Sequence, residues 1–308
     1  MSPVLDFLTE VSLETFQNPT QMIGVPIAIV GAVFLSLGAQ FQHRGVNKVD
    51  NATEGTGKNG LNVGQLTLLL KRPSWVIGTL MLGLAIVFQL VSLAFSPLIL
   101  VQPLGAIALV VTAIVNSRVS KVRMTRAGII SIAACVLGIG LFVGIAATVS
   151  GEKPVTDEKL ITILIILGVV LLILGTMFAI FRTRARALFY IISAGMVYGF
   201  VATLAKVVIS RVQASDFNWL TVICIVGLLA GTGLGAYFVQ NAYASGPPDL
   251  VIAGLTVVDP MVAVAIAVIV LGEADGAPLW AIIGFIVAGA IAVWGVFQLA
   301  RHHPQVAN

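Results

Sequence analysis

The chain has 308 residues, of which 58% are hydrophobic and only 10% are charged. Soluble domains are about 25% charged, so this composition excludes an ordinary soluble enzyme and indicates a protein whose main solvent is lipid. The net charge of +4 does not indicate a nucleic-acid partner, because the Lys and Arg residues lie in short gaps between apolar runs and form no basic patch interleaved with aromatic residues.

Nine apolar runs are long enough to cross a bilayer, which requires about 20 residues per helix. Backbone groups in hydrocarbon must be hydrogen-bonded internally, so these runs predict α-helices. The fold class is therefore an all-α polytopic membrane protein. Predicted helices 1 to 9 cover, in order, Met22–Gln42, Trp75–Phe95, Leu98–Val115, Ala127–Ala147, Leu160–Phe181, Leu188–Ser210, Trp219–Val239, Leu250–Leu271 and Leu279–Leu299.

The segment before helix 1 carries acidic residues but no Lys or Arg, unlike the positively charged start of a secretory signal. Its apolar residues Val4, Leu8 and Val11 recur at helical spacing. We therefore expect residues 1–21 to form a short amphipathic helix on the membrane surface.

The positions of the positive charges predict the orientation of the chain. Thirteen of the 17 Lys and Arg residues lie in the odd-numbered gaps between helices and at the C-terminus, whereas Lys153, Lys159 and Arg211 lie on the opposite side and Lys206 lies within helix 6. Positive charge concentrates in cytoplasmic loops. We therefore expect a cell-membrane protein whose N-terminus is outside and whose C-terminus is cytoplasmic.

Helices 1–4 resemble helices 6–9 in sequence. Val30–Arg44 aligns with Val197–Arg211, and Val101–Pro103 of helix 3 aligns with Val258–Pro260 of helix 8. Because the single helix 5 separates the copies, the second copy is inverted, an architecture found in many secondary transporters. The predicted parts are the amphipathic segment 1–21, the first repeat 22–147, a linker with helix 5 at 148–187, and the second repeat 188–308.

Asp259 is the strongest candidate for a binding residue, because it lies near the middle of predicted helix 8. A carboxylate at the bilayer centre is costly unless it is protonated, paired or hydrated. The following Pro260 removes a backbone donor and frees a carbonyl one turn earlier. A carboxylate beside a broken helix predicts a cation or proton site. The alternative is that helix 8 begins later, so that Asp259 caps its cytoplasmic end.

Four further polar residues complete the candidate binding set. Gln102, beside Pro103, is the repeat-mate of Asp259, and Gln89 and Gln40 lie in helices 2 and 1. Matching prolines in two repeats predict helix breaks around a midplane site. The alternative role for each Gln is an ordinary interhelical hydrogen bond.

Lys206, the fourth, lies about four residues from the outer end of helix 6. Its ammonium either snorkels to the lipid headgroups or pairs with Asp259, which would neutralise the binding site until a substrate or a proton displaces the pair.

The stretch from Leu69 to Ser117 resembles the NIPA magnesium-transporter family. The similarity rests on the Leu-Leu-Lys-Arg-Pro-Ser-Trp opening, on Ala-Phe-Ser-Pro at 94–97 and on Leu-Val-Gln-Pro-Leu-Gly at 100–105. The second half, in which the Pro260 helix ends in Leu-Gly-Glu at 271–273, is similar to the wider drug/metabolite transporter superfamily of the EamA type. The resemblance implies inverted repeats, alternating access and transport of magnesium or another cation.

The sequence thus predicts a secondary transporter that binds the lipid bilayer and a small solute or cation, and acts as a monomer, with a homo-oligomer as the alternative. An enzyme would need a loop that carries acid–base or metal-binding residues, and these loops are too short for one. We therefore expect no enzyme activity. We expect no cofactor beyond coupling to H⁺ or a cation. Two alternatives stay open: a proton- or cation-coupled exporter of small organic metabolites or of amphipathic or lipid-linked cargo, and a non-transporting accessory membrane protein.

Overall fold

The computed structural model describes residues 22–50, 71–120, 125–151, 153–181, 187–245 and 248–301. Within these ranges all regular structure is helical, and nine helices are long and apolar enough to cross a membrane. The predicted all-α polytopic fold is therefore confirmed, and the protein is a multi-pass integral membrane protein. The amphipathic helix predicted at residues 1–21 lies outside the described residues.

The nine spans, α1 to α9, correspond one to one to the predicted helices. Seven of them are single α-helices: α1 Gly24–Asp50, α2 Pro73–Phe95, α4 Arg126–Val149, α5 Asp157–Phe181, α6 Ala187–Gln213, α7 Trp219–Ser245 and α9 Leu279–Arg301. The other two are composite. Span α3 joins Leu98–Val101, a 3₁₀ segment Gln102–Ala106 and Ile107–Ser120, and span α8 joins Pro248–Ile266 to a π-helical turn Ala267–Leu271.

Local sequence explains where several helices begin and end. Pro73 starts α2, where its missing N–H is not needed, and Pro97 restricts Ser96 to an extended conformation that ends it. Thr125 caps α4, because its Oγ1 accepts a hydrogen bond from the Gly128 N–H at 3.1 Å. The π-turn of α8 ends at Gly272, whose φ of 71° is left-handed.

Most helices extend a few residues beyond the predicted apolar runs. Helix α1, for example, continues to Asp50 rather than ending at Gln42, because a helix can continue through polar residues after it has left the apolar region. The sequence pattern therefore marked the apolar part of each span rather than its full length.

Spans α3 and α6 form the centre of the bundle. In each, 61% of the spanning residues are buried, compared with 17% in α5 and in α7. The main packing partners also follow the predicted repeat: α1 packs on α2 as α6 packs on α7, and α1 contacts α3 as α6 contacts α8. Helix α4 packs on its repeat-mate α9.

Small residues allow these helices to approach closely, as is usual for helices packed in membranes. A Cβ on Gly138 of α4 would lie 2.5 Å from the Ala292 backbone N of α9. On α7, Gly231 and Gly235 face Val201 and Tyr198 of α6. The glycine-rich stretch of α7 is therefore a packing surface.

Candidate transport site

Asp259 lies well inside a helix. Span α8 begins at Pro248 and continues through Pro260, so Asp259 is about 16 Å along the helix axis from its start at a rise of about 1.5 Å per residue. The alternative in which Asp259 caps a shorter helix 8 is therefore wrong.

One carboxyl oxygen of Asp259 is buried without a partner. Its Oδ1 is shielded from solvent and accepts no hydrogen bond among the described residues. Buried polar atoms in proteins are nearly always hydrogen-bonded, and an unpaired buried carboxylate is strongly unfavourable. A bound proton, cation or water molecule would satisfy this oxygen.

Two glycines of α6 bring its backbone against Asp259. A Cβ on Gly195 would lie 2.6 Å from the Val258 side chain and 3.2 Å from the Asp259 backbone N. A Cβ on Gly199 would lie 3.0 Å from the Asp259 carbonyl O. The absence of side chains at these two positions is what allows α8 to pack against α6 at the level of Asp259.

The two predicted helix-breaking prolines line one cavity. The cavity has a volume of about 110 Å³ and lies between α3, α4, α8 and α9. Its other walls are almost entirely apolar and include Ile139, Phe142 and Val293. Pro103 and Pro260 thus line the same cavity, whereas Asp259 and Gln102 do not line it.

The prolines differ in their effect on the backbone. Pro103 lies in the 3₁₀ segment Gln102–Ala106, whereas the α-helix continues through Pro260 and changes to π geometry only at Ala267. The predicted break at Pro103 is therefore present as a local 3₁₀ turn, and the irregular turn of α8 lies beyond Pro260. Both kinds of turn often mark hinges or functional sites in helices.

The three candidate glutamines occupy different environments. Gln102 is 5% exposed at the start of the 3₁₀ segment, and Gln89 is half-buried on α2. Gln40 donates a hydrogen bond from its Nε2 to the Thr112 carbonyl at 3.5 Å, beside a 2.8 Å hydroxyl contact between Ser36 and Thr112. Gln40 therefore joins α1 to α3.

Lys206 is not paired with Asp259, and it does not snorkel to the surface. It is 4% exposed, and its Nζ donates hydrogen bonds to the carbonyls of Leu93 at 2.8 Å and Ser96 at 2.9 Å. These carbonyls close the C-terminal end of α2, where a positive charge is favourable. Both sequence-based interpretations of Lys206 are therefore wrong, because the end of α2 binds its ammonium group.

Glu273 was not predicted from the sequence to be a site residue. It binds the start of α3, directly after the end of α2 that Lys206 binds. Glu273 is 4% exposed, and its carboxylate accepts hydrogen bonds from the first amides of α3: Leu98 N–H at 3.0 Å and Ile99 N–H at 2.8 Å. We call residues Leu93–Ile99 the α2–α3 corner. The sequence analysis used Glu273 only as part of the Leu-Gly-Glu stretch at 271–273 that resembles the wider superfamily, and a residue just after a helix end is usually a solvated loop residue.

Beside this corner is a pocket of about 670 Å³, which we call the corner pocket. Lys206 and Glu273 line it, together with Arg211, whose guanidinium pairs with Asp157 and, at 2.6 Å, with Asp216. The sequence analysis counted Arg211 among the three positive charges on the side opposite to the cytoplasm. In the structure Arg211 lies in the last turn of α6 and is 3% exposed.

Acidic groups do not cluster around the transport site. Nowhere in the described part of the chain do three His, Cys, Asp or Glu side chains come together as potential metal ligands. The site therefore offers one buried carboxylate rather than a protein cage. Mg²⁺, which usually keeps several of its waters and binds one or two carboxylates, is compatible with such a site.

Comparison with known proteins finds a matching family model and several relatives. Residues 19–193 match the family model described as magnesium transporter NIPA. An uncharacterized protein of Corynebacterium glutamicum is 23% identical over 291 residues, which is 92% of this chain and 96% of that protein.

Two relatives from Arabidopsis thaliana carry functional names. The probable magnesium transporter NIPA1 is 26% identical and matches 39% of this chain and 34% of its own length. The probable magnesium transporter NIPA4 is 26% identical and matches 37% of this chain and 32% of its own length. The matched region thus spans about a third of these plant relatives. No solved structure matches this chain.

Proposed function

Because the chain belongs to the magnesium transporter NIPA family, we propose that it is a secondary transporter that moves Mg²⁺ across the membrane by alternating access. The observation that carries the proposal is the buried, unpartnered Oδ1 of Asp259 in the interior of a membrane-spanning helix. An ionisable residue within a span is a functional group by default, and here it is the natural ligand for a cation.

The local backbone supports this role for Asp259. Pro260 has no N–H to donate, so the carbonyl of Thr256, four residues earlier, lacks its usual helical partner. A freed carbonyl and a carboxylate are the oxygen ligands that Mg²⁺ prefers, and retained waters fill the remaining octahedral positions. In this proposal Asp259 is the anionic ligand, and a partly hydrated ion passes along α6 and α8.

The matching helix pairs in the two halves support alternating access. Transporters built from inverted repeats change access by moving one repeat against the other around a central site. Here α1 packs on α2 as α6 packs on α7, Pro103 and Pro260 line one cavity, and α3 contacts α8. In the proposed cycle the α3 and α8 elements move against each other at this contact, and the chain acts as a monomer without a cofactor.

The apolar cavity favours a second candidate function. Its walls carry almost no polar surface, as expected for the tail of an amphipathic molecule rather than for an ion. In this alternative the protein exports an amphipathic or small organic solute, and protons or cations bind Asp259 to drive the export. Assignment to the drug/metabolite transporter superfamily is compatible with both candidates.

Flux measurements on the purified protein distinguish the two. One batch of proteoliposomes is loaded with an Mg²⁺-sensitive dye and a second batch with a pH-sensitive dye. Each batch is exposed to a Mg²⁺ gradient and, in separate runs, to a series of amphipathic amines. We expect protein-dependent Mg²⁺ entry that amines do not drive. Amine-driven proton movement without Mg²⁺ entry would contradict the magnesium assignment and support the second candidate.

A further inference from the structure

The α2–α3 corner belongs to the first half of the chain, but two buried charges of the second half bind it. Lys206 of α6 donates to the carbonyls of Leu93 and Ser96, and Glu273 after α8 accepts from the amides of Leu98 and Ile99. We infer that Lys206 and Glu273 form a gate that closes the transport pathway at this end by clamping the two halves together. The inference rests on the proposed transport function.

The charges complement the helix ends that they bind. The C-terminal end of α2 carries partial negative charge and the N-terminal end of α3 partial positive charge, so an ammonium and a carboxylate are each attracted to the group they contact. Unpaired backbone groups at helix ends need such partners when they are buried. The four hydrogen bonds, all between 2.8 and 3.0 Å, therefore depend on both halves staying together.

The position of the two residues fits a gate. Lys206 and Glu273 line the corner pocket. Gly199, which contacts Asp259, lies two turns before Lys206 on α6, a distance of about 10 Å at a rise of about 1.5 Å per residue. The two charged residues are thus located between the corner pocket and the level of Asp259. In the proposed pathway an ion that leaves Asp259 toward the corner pocket passes Lys206 and Glu273.

The segment that carries Glu273 has the backbone features of a hinge. It follows a π-helical turn and lies between Gly272 and Gly276, whose φ angles of 71° and 83° are left-handed. The segment is attached at its exposed side by an ion pair between Lys153 and Asp275 at 2.6 Å. A change of the π-turn to α geometry would rotate Glu273 away from Leu98 and Ile99, since a π-turn holds one residue more than an α-turn.

The test measures access to a cysteine placed behind the gate. Thr203 is fully buried one turn below Lys206 on α6, and Thr203→Cys changes its shape little. Intact cells that express Thr203→Cys are treated from outside with an anionic, membrane-impermeant methanethiosulfonate. Ala214→Cys, in the wall of the corner pocket, reports whether that pocket faces outside.

We expect rapid labelling of Ala214→Cys and slow labelling of Thr203→Cys. Adding Glu273→Gln or Lys206→Met to Thr203→Cys should raise its labelling rate at least about tenfold, whereas Asp275→Asn, in the same loop, should not. Glu273→Asp and Lys206→Arg keep the charges and should give intermediate rates. These two variants decide the test if the neutral variants fail to fold.

Unchanged labelling of Thr203→Cys in folded Glu273 and Lys206 variants would overturn the gate, as would failure of Ala214→Cys to react from outside. Mg²⁺ flux is measured separately on the same variants. Increased labelling without any Mg²⁺ flux in the wild type would support the gate while contradicting the substrate assignment, so the two proposals fail in distinguishable ways.

Discussion

Gly199 of α6 lies directly against the backbone of Asp259 of α8: a Cβ at Gly199 would lie 3.0 Å from the Asp259 carbonyl and 2.7 Å from the Val262 Cβ. The candidate ion ligand is therefore positioned by a close helix contact rather than by a side-chain partner. Any side chain at Gly199 must push α8 away from α6 and displace Asp259.

Gly199→Ala is accordingly expected to lower both stability and transport. Overpacking of a tight contact typically costs about 1–3 kcal/mol, which should appear as a lower melting temperature in detergent. Gly233→Ala is the matched control, because a Cβ at Gly233 meets nothing within 4 Å and Ala is the better helix former. Equal melting temperatures for the two variants would contradict the proposed contact.

Ser92 should contribute a measurable interhelical hydrogen bond. Its buried Oγ donates to the Gly24 carbonyl of α1 at 2.7 Å, so Ser92→Ala removes a hydrogen bond between the two helices, while the carbonyl keeps its bond within α1. We expect a loss of about 0.5–1.5 kcal/mol, measured by denaturation in detergent. Thr232→Ala is the control, since the exposed Thr232 hydroxyl donates to the Leu228 carbonyl of its own helix. An equal loss in both would contradict an α1–α2 contribution.

The two native cysteines should be unreactive in the folded protein. Cys135 and Cys224 are fully buried, and a Cβ on Gly295 would lie 2.5 Å from the Cys135 backbone N. We expect no maleimide labelling of the native protein in detergent and labelling of two thiols after denaturation, measured by intact mass. Rapid labelling before denaturation would show that the packing of α4 on α9 or of α7 on its neighbours is wrong.

Asp275 should titrate below its ordinary pKa of 3.8. The pKa is lowered because Lys153 donates a hydrogen bond to the carboxylate and adds a positive charge beside it, with a smaller effect from the charge of Lys159. A lowered pKa in the folded state stabilises the fold above the unfolded-state value, and this stabilisation is lost as the pH falls through the folded-state value.

Carboxyl ¹³C titration of aspartate-labelled protein checks this, with Asp275→Asn to assign the signal. Lys153→Met should raise the pKa of Asp275 toward 3.8 with little change in melting temperature, because exposed ion pairs contribute little to stability. A pKa of Asp275 that does not respond to Lys153→Met would contradict the ion pair.

The sequence predicted those features that depend on residue composition and on the pattern of apolar residues along the chain. The nine spans follow from the length of the apolar runs. Asp259 was identified because a carboxylate within an apolar run has few explanations. Each of these inferences uses only neighbours along the chain.

The sequence could not predict contacts between distant segments. Lys206 and Leu93 are 113 positions apart, and Leu98 and Glu273 are 175 positions apart. Pairing of Lys206 with Asp259 was one interpretation of the sequence, because both are charged residues within predicted membrane helices of the second repeat. The end of α2 binds Lys206 instead. Backbone carbonyls at a buried helix end accept hydrogen bonds, but a count of charged side chains does not include them.

The most direct test of the account compares Asp259→Asn with Asp275→Asn in proteoliposomes under a Mg²⁺ gradient. The chemical change is the same, but one carboxyl oxygen of Asp259 is buried at α8, whereas Asp275 is exposed in the loop after it. We expect Asp259→Asn to reduce protein-dependent Mg²⁺ entry about tenfold or more, while Asp275→Asn retains it. Full Mg²⁺ entry in folded Asp259→Asn protein would contradict the account.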